Sequence, residues 1–464
     1  MEPATAIARR WSRRRSLEQH RDVIVDPIAA AVVLAFLAWP GSRVSTVLLT
    51  LAAFGCGALA ARRVQPQAAL LPLMRHAQPL LGPALAVTGI VLLELLTGRP
   101  SAGPLDLLAA LGASAFLDRT VAALLGAPAP GSVRAAYIGS PIGAAQLARA
   151  LEAGGSSRYR LCGRVSCAGE PPGAGAKSLG SLEELHDVVI DQRIDLLVMG
   201  AEAPRPEAFG ALADGCLELP VRLVDLSALF EEVFGHVPTA EIDSTWFQCL
   251  AASEARTSTG ALKRGIDVAG AAAGLLVLAP LLGVLVLLIR RDGGPAIFRQ
   301  TRIGEGGRPF RLYKLRTMRV GAGAIAQWAS THDPRVTRVG RFLRHTHLDE
   351  LPQLVNVLRG EMSLVGPRPE QPEFVERLER TLPFYRRRHL IRPGITGWAQ
   401  IRCGYAGSDI GSAWKLCHDL YYAKHRSVGV DLLILCETLS TLLFEREPVL
   451  HPECVAYVLR EQPR

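Results

Sequence analysis

Polar and apolar positions are spread unevenly along the chain. An arginine-rich start (Arg9, Arg10, Arg13, Arg14, Arg15) is followed by four apolar segments, running from about Val23 to Pro40, Val44 to Ala61, Leu80 to Leu96 and Leu105 to Leu125. Each is close to the roughly 17–25 residues a bilayer-spanning helix needs. The third carries Glu94, and the fourth carries Asp106, Asp118 and Arg119, so the fourth fits a span least well. A signal peptide accounts poorly for the first, because three more segments follow it and no small-residue cleavage site is evident. Arg62, Arg63 and Arg75 lie between the second and third segments, whereas the other two loops hold Arg43 and Arg99. The positive-inside rule then places both ends of this four-helix bundle in the cytoplasm.

The pattern changes from about Val133 to Phe230. Short runs rich in β-formers (RAAYIG, DVVI, DLLVMG, VRLVDL) alternate with helix-like stretches such as Ala144–Ala153. That alternation predicts a small α/β domain with a parallel sheet. The first strand ends in Gly139-Ser-Pro-Ile-Gly143, which is similar to a dinucleotide-binding turn. It is not G-x-G-x-x-G, and no acidic residue closes the second strand at Arg164, Val165 and Ser166. A structural or regulatory module is the favoured reading over nucleotide binding.

A fifth apolar run is free of charge between Asp267 and Arg290. As one straight helix its roughly 22 residues would reach about 33 Å, enough to cross a bilayer. Pro280, near its middle, removes a backbone donor and kinks a helix. Both flanks are basic, with Lys263 and Arg264 before and Arg290 and Arg291 after, which favours both ends on one side. A helix–break–helix hairpin dipping into one leaflet satisfies both facts. A kinked spanning helix is the alternative.

Composition narrows the class. Of 464 residues, 49% are hydrophobic and 20% charged, the mean hydropathy is +0.21 and the net charge is +9. A disordered chain is excluded, being poor in apolar residues. Membrane and nucleic-acid partners both suit a basic chain. The apolar excess lies in membrane-length runs and no nucleic-acid motif accompanies the arginines, so nucleic acid is not expected as a partner. The 9 cysteines contain no Cys-x-x-Cys and read as reduced.

Candidate chemistry follows Arg291. Arg308 to Met318 (RPFRLYKLRTM) reads as a strand offering Arg311, Lys314 and Arg316. Arg335, Arg338, Arg341 and Arg344, spaced by three, form one basic stripe on a helix. It is either a solvated face or a contact for phosphates or anionic headgroups. In His345-Thr-His-Leu-Asp-Glu-Leu-Pro-Gln-Leu354, Thr346 and Asp349 have a helix-start spacing, and Pro352 is tolerated only in a first turn. A helix is predicted from near Asp349 to Leu358, ending before Gly360. Its positive end keeps Asp349 ionised, as a carboxylate nucleophile must be. Neighbouring helical residues point about 100° apart, so Asp349 and Glu350 are able to do different jobs, one attacking and one holding a metal. Simple N-terminal capping is the alternative. His345 and His347 lack a third ligand at transition-metal spacing. Gly366-Pro-Arg-Pro369 and Arg392-Pro-Gly-Ile-Thr-Gly-Trp-Ala-Gln400 are rigid loops whose arginines and open amides suit a diphosphate, or are turn chemistry alone.

Taken in order, the strings KRGIDVAGAAAGLLVLAPLL, FRLYKLRTM, LDELPQLVNVLRGEMSLVGPRP, RPGITGWAQI and DLYYAKHRSVGVDLLIL resemble the bacterial sugar transferase family over Lys263 to about Phe444. These are the monotopic phosphoglycosyl transferases that start exopolysaccharide, capsule and O-antigen assembly. The layout of spans followed by an α/β domain is similar to the family's long members. The resemblance implies a membrane α plus α/β protein in three parts: a transmembrane bundle (1–130), a Rossmann-like cytoplasmic domain (131–245), and an α-rich catalytic domain with a re-entrant membrane helix (246–464).

It also implies roles by position. Asp349 matches the nucleophile that attacks a UDP-sugar, and Glu350 the partner carboxylate that holds Mg2+. Lys314 and Arg316 fall in the family's basic strand, and Arg344 precedes the carboxylates at the family's spacing. Arg368, between Pro367 and Pro369, matches the nucleotide loop, with Arg392 and Gln400 as further substrate-binding candidates. Pro280 matches the hairpin break. The preceding residue, often Ser in the family, is Ala279 here, so freed backbone groups must be satisfied another way. His345 and His347 replace commoner Ser or Thr. The implied reaction transfers a hexose 1-phosphate, from UDP-glucose or UDP-galactose, to undecaprenyl phosphate. Its implied setting is the cytoplasmic face of a bacterial inner membrane, in contact with membrane lipid and as a homodimer. A membrane scaffold or regulator without activity is the second reading, against which the intact Asp349-Glu350 pair speaks. A transporter is the third, for which the four spans offer too few charges.

Overall fold

A computed structural model of the chain describes residues 133–153, 158–167, 177–200, 219, 221–242, 246–250, 260–291, 293–321, 333–403 and 408–443. The four N-terminal apolar segments lie outside the described residues. Those described divide into two units, one ending at Phe234 and the other beginning at Gly235. The cysteines at 162, 167, 249, 403, 417 and 436 are free thiols.

The first unit contains β1 (Val133–Ile138), α1 (Pro141–Ala153), β2 (Tyr159–Ser166), β3 (Ser178–Ser181), α2 (Leu185–Asp191), β4 (Leu196–Met199), β5 (Arg222–Asp225) and α3 (Leu226–Phe234). The five strands pair in parallel, in the order β3-β2-β1-β4-β5. This is the parallel α/β sheet expected from the alternating pattern. The strand order reverses between β1 and β4, where ligands settle in open α/β sheets. β4 is buried throughout, which is why LLVM reads as a continuous apolar run.

One predicted strand is corrected. DVVI belongs to α2, because Leu185, Val188 and Val189 fall at helical spacing and share its buried face. The glycine turn after β1 also has a local use. A Cβ on either Gly143 or Gly200 would collide with the Tyr137 hydroxyl. Tyr137 is buried and fills the crevice at the strand-order reversal. Arg164, from β2, donates to the Gly139 carbonyl across the same turn. The small residues that resembled a pyrophosphate cradle therefore make room for a tyrosine ring.

The second unit contains α4 (Gly260–Arg290), β6 (Ile297–Ile303), β7 (Pro309–Leu315), α5 (Arg338–His345), α6 (Gln353–Arg359), β8 (Ser363–Val365), α7 (Pro372–Thr381), β9 (Gly394–Thr396), α8 (Trp398–Cys403), α9 (Asp409–His425) and α10 (Val428–Leu443). β6 and β7 form an antiparallel hairpin that sets Phe298 opposite Lys314. β8 and β9 pair in parallel. Residues just after α3 pack into this unit: Trp398 Nε1 donates to the Gly235 carbonyl at 2.7 Å, and Val237 N to the Cys417 carbonyl at 3.1 Å.

α4 spans 31 residues and continues as one helix through Pro280, so the break expected at that proline is not seen. It is long and apolar enough to cross a membrane, the one such helix among the described residues. Both its ends are held by the second unit. At the start, Lys263 pairs with Asp431, and Arg264 caps the end of α6 by donating to the carbonyls of Val357 and Leu358 at 2.6 and 2.9 Å. One turn later, Asp267 accepts from Ser363 Oγ and Leu364 N, each at 3.0 Å. At the far end, Leu285 and Ile289 pack with Ala296, Leu315 and Leu343. The opposite face is bare, with Leu276 79%, Val277 74% and Leu287 69% exposed. A contiguous apolar surface of this kind marks contact with lipid or a partner.

Asp267 is buried, so its loss leaves the buried Ser363 hydroxyl and the partly buried Leu364 amide without this acceptor. Asp267→Ala is expected to destabilise the second unit by about 1–3 kcal/mol. The check is a lowered unfolding midpoint of the full chain in detergent, and an unchanged midpoint would contradict the role given to this carboxylate.

Candidate active site

The site is assembled where β7 meets the segment between α5 and α6. Asn356, fully buried on α6, fixes that meeting. Its Oδ1 accepts from Tyr313 N at 3.1 Å, and its Nδ2 donates to the Arg311 carbonyl and Glu361 Oε2, both at 2.7 Å. The strand carrying Lys314 is thereby fastened to the helix that follows Asp349 and Glu350.

The helix predicted from Asp349 to Leu358 is corrected. A short 3-10 turn covers Leu348–Glu350, and the α-helix starts only at Gln353, with Pro352 as its N-cap. Thr346 ends a helix rather than starting one, as its hydroxyl donates back to the Phe342 carbonyl at 2.9 Å. His347 then adopts φ 56°, a left-handed conformation uncommon outside glycine. That residue turns the chain from α5 into the 3-10 turn that presents both carboxylates. α6 does end at Gly360, with φ 81°, where the sequence places its stop.

Glu350 lies between two cations. Its Oε1 accepts from Lys314 Nζ and from Arg368 Nη2, each at 2.7 Å. Burial alone would raise its carboxyl, but Arg368 and Lys314 outweigh burial and hold it well below the usual carboxylate range. Asp349 shifts the other way. Burial raises it above the ordinary aspartate value, against the charges of Lys314, Arg344 and Arg368, while the Glu350 charge adds to the rise. The expectation that a helix terminus keeps Asp349 ionised is therefore corrected: the helix does not begin there, and the neighbouring cations oppose protonation instead. The Asp349 carboxylate makes no hydrogen bond among the described residues. Burial also lowers Lys314 from its ordinary value.

The other predicted residues divide into two sets. Arg344 donates from Nε to Thr317 Oγ1 at 2.9 Å and is close enough to Asp349 to favour its ionised form. Arg368 is in the cluster, and its loop is held tightly. Gly366 N donates to the Thr396 carbonyl, and Gly394 N to the Pro367 carbonyl, both at 2.9 Å. A Cβ on Gly366 would meet the backbone of Arg392, which is why this crossing takes glycine. The Pro369 carbonyl accepts from Arg302 Nη1 at 3.1 Å. Three candidates are engaged elsewhere. Arg316 donates to the Ile289 carbonyl at 3.0 Å and caps the end of α4. Arg392 pairs with Glu305 at the surface. Gln400 Nε2, on α8, donates to the Ile395 carbonyl of β9 at 2.9 Å. The basic stripe is shorter than predicted, since Arg335 precedes α5 and chelates Asp333.

Sequence reasoning missed the support behind Arg368. Arg388 Nη2 donates to the Arg368 carbonyl at 2.9 Å, Nη1 to Tyr385 Oη at 3.0 Å, and the guanidinium pairs with Asp419 at 2.8 Å. Arg388 and Asp419 are both buried. Asp419 lies on the buried face of α9, where a carboxylate demands a partner.

The arrangement offers one carboxylate with an oxygen shared by two cations, a second beside it without a hydrogen-bond partner, and surplus positive charge around both. It suits nucleophilic attack by Asp349 on an anionic phosphorus centre. Among the described residues no group of three or more metal-capable side chains occurs.

Known proteins share this region. The bacterial sugar transferase family matches residues 258–445. A UDP-N-acetylgalactosamine-undecaprenyl-phosphate N-acetylgalactosaminephosphotransferase of Aeromonas hydrophila is 46% identical over 184 residues, 39% of this chain and 44% of its own length. A UDP-glucose:undecaprenyl-phosphate glucose-1-phosphate transferase of Caulobacter vibrioides is 44% identical over 193 residues, 40% of this chain and 72% of its own. The exopolysaccharide production protein PSS of Rhizobium leguminosarum is 41% identical over 190 residues, 39% of this chain and 95% of its own. This chain thus spans less than half of the Aeromonas relative.

Truncating Arg388 leaves the buried Asp419 charge uncompensated. Arg388→Ala is expected to cost about 3–5 kcal/mol, read as a depressed unfolding midpoint, with Arg388→Ala/Asp419→Ala less affected than the single variant. Equal midpoints for the single variant and the parent would contradict the pairing.

Proposed function

The chain belongs to the bacterial sugar transferase family, and on that footing we propose that it transfers a hexose 1-phosphate, glucose or galactose, from a UDP-sugar to undecaprenyl phosphate, releasing UMP. The observation that carries this reading is the division between the two adjacent carboxylates. Glu350 is committed to Lys314 and Arg368, while Asp349 has no hydrogen-bond partner among the described residues. In the first step an Asp349 carboxylate oxygen attacks the β-phosphorus. The bond from that phosphorus to the bridging oxygen breaks, and UMP departs with the oxygen. In the second step a phosphate oxygen of undecaprenyl phosphate attacks the same phosphorus. The bond to Asp349 breaks, which restores the carboxylate and gives undecaprenyl diphosphate hexose.

Lys314, Arg368 and Arg344 offset the charge that gathers as a carboxylate approaches a diphosphate. Arg388 fixes the Arg368 loop and Asn356 the Lys314 strand, so the cations need little rearrangement during reaction. The donor set fits Mg2+ in the way such sites commonly hold it, through a carboxylate together with substrate phosphates and water. Glu350 would hold it, since both cations bond Oε1 and leave Oε2 clear. The ion would supply further neutralisation of the diphosphate.

α4 accounts for how a water-soluble donor and a lipid acceptor meet. Although α4 runs as one helix through Pro280, its two ends are held by one unit and its outer face is apolar, and these two features support a re-entrant placement in one leaflet. The second unit then rests on the cytoplasmic face of the inner membrane.

A UMP-release assay across UDP-glucose and UDP-galactose with undecaprenyl phosphate tests the reaction. Asp349→Asn is expected to lower turnover by on the order of a thousandfold or more while the chain stays folded. Turnover like that of the parent would sink the nucleophile assignment. The pH profile is a second check. Attack needs ionised Asp349, so kcat/KM falls as pH drops through its raised pKa. Lys314 contributes the largest charge favouring ionisation, so Lys314→Met is expected to move that acidic limb to higher pH. A limb that stays put or moves to lower pH would contradict the charge balance described.

A further inference from the structure

The predicted basic stripe is resolved into side chains facing different ways, and one set is unexplained by the reaction. Arg344 turns to Thr317 and Arg335 to Asp333. Arg338 and Arg341 on α5 remain exposed, and Phe342 beside them is 55% exposed. A phenylalanine open to water beside two arginines is unfavourable for a purely solvated helix face.

The surroundings extend the patch. The inner side of α5 packs on the end of α4: Leu343 and Val339 meet Leu285 and Ile289. The strand end after β7 runs beside the start of α5, with Thr337 N donating to the Thr317 carbonyl and Arg319 N to the Arg335 carbonyl, each at 3.0 Å. That places exposed Arg319 and Val320, the latter 62% exposed, next to α5. Gly294 faces Val320 closely and follows exposed Arg290 and Arg291 at the end of α4. Five exposed arginines thus surround Phe342 and Val320 where the bare apolar face of α4 ends.

We propose that this collar docks on an anionic lipid headgroup layer, with Arg290, Arg291, Arg319, Arg338 and Arg341 against lipid phosphates and Phe342 and Val320 in the acyl boundary. Basic residues paired with aromatic or aliphatic ones are the composition that binds such an interface. Continuity with α4 selects lipid over a soluble anionic partner. α5 also carries Arg344 toward Asp349, so docking holds the site at the depth of a lipid phosphate. The inference goes beyond the proposed reaction and rests on that reading only in treating the second unit as membrane-bound.

The test uses the full chain in nanodiscs of phosphatidylcholine alone or of an equal mixture with phosphatidylglycerol. Phe342→Trp adds a fluorophore to the 6 native tryptophans, and acyl-brominated lipids quench it on insertion. The added emission, taken as the difference from the parent chain, is expected to be quenched strongly in the mixture and weakly in phosphatidylcholine. Adding Arg338→Glu and Arg341→Glu is expected to abolish the difference, each lost arginine weakening docking by about fivefold. Added emission that stays unquenched in both lipids, or equal quenching that ignores the arginines, would overturn the inference. Quenching needs no turnover. A docked but inactive chain would count against the proposed reaction alone, and an active chain whose added indole stays unquenched against the docking alone.

Discussion

A single carboxylate oxygen organises the second unit. Glu350 Oε1 receives both Lys314 and Arg368, which come from a strand and a loop that share no backbone pairing with each other. Were Glu350 neutral, Lys314 and the partly exposed Arg368 would lose the one acceptor they share. The same pairing clears Asp349 of partners. It also leaves a positive environment in which a carboxylate above its ordinary pKa is still able to ionise. Structure and chemistry thus depend on one shared acceptor.

The clamp holds because each partner is itself supported. Asn356 ties the Lys314 strand to α6, and Arg388 ties the Arg368 carbonyl to Asp419 on α9. Arg264 reaches from α4 to the end of α6, and Arg316 reaches back from the end of β7 to the end of α4. The apolar helix is therefore fixed at both its ends to the elements that carry the site.

Much of this was legible in the residues. The parallel α/β sheet followed from alternating runs, the end of α6 from Gly360, and the central cluster from the motifs around Asp349, Glu350, Lys314 and Arg368. What was hidden depended on partners far along the chain. Asn356 acts on a carbonyl 45 residues away and Arg388 on a carboxylate 31 away, and neither spacing is a local signal. Lys263 and Arg264 read as topology charges because they flank an apolar run, yet both are engaged with Asp431 and the end of α6. DVVI read as a strand because β-branched residues favour one, and burial of a helical face prevailed. The turn of Gly139 to Gly143 resembles a dinucleotide-binding turn without its motif, and its room is taken by Tyr137.

The central claim is that Asp349 becomes covalently bonded to the donor's phosphorus. The direct measurement is incubation of the full chain with a UDP-hexose labelled in its β-phosphate, without lipid acceptor, followed by rapid quenching and peptide mass spectrometry. Label is predicted on the peptide containing Asp349, absent in Asp349→Asn and discharged when undecaprenyl phosphate is added. Label that reaches lipid only when both substrates are present, and never the protein, would contradict the claim.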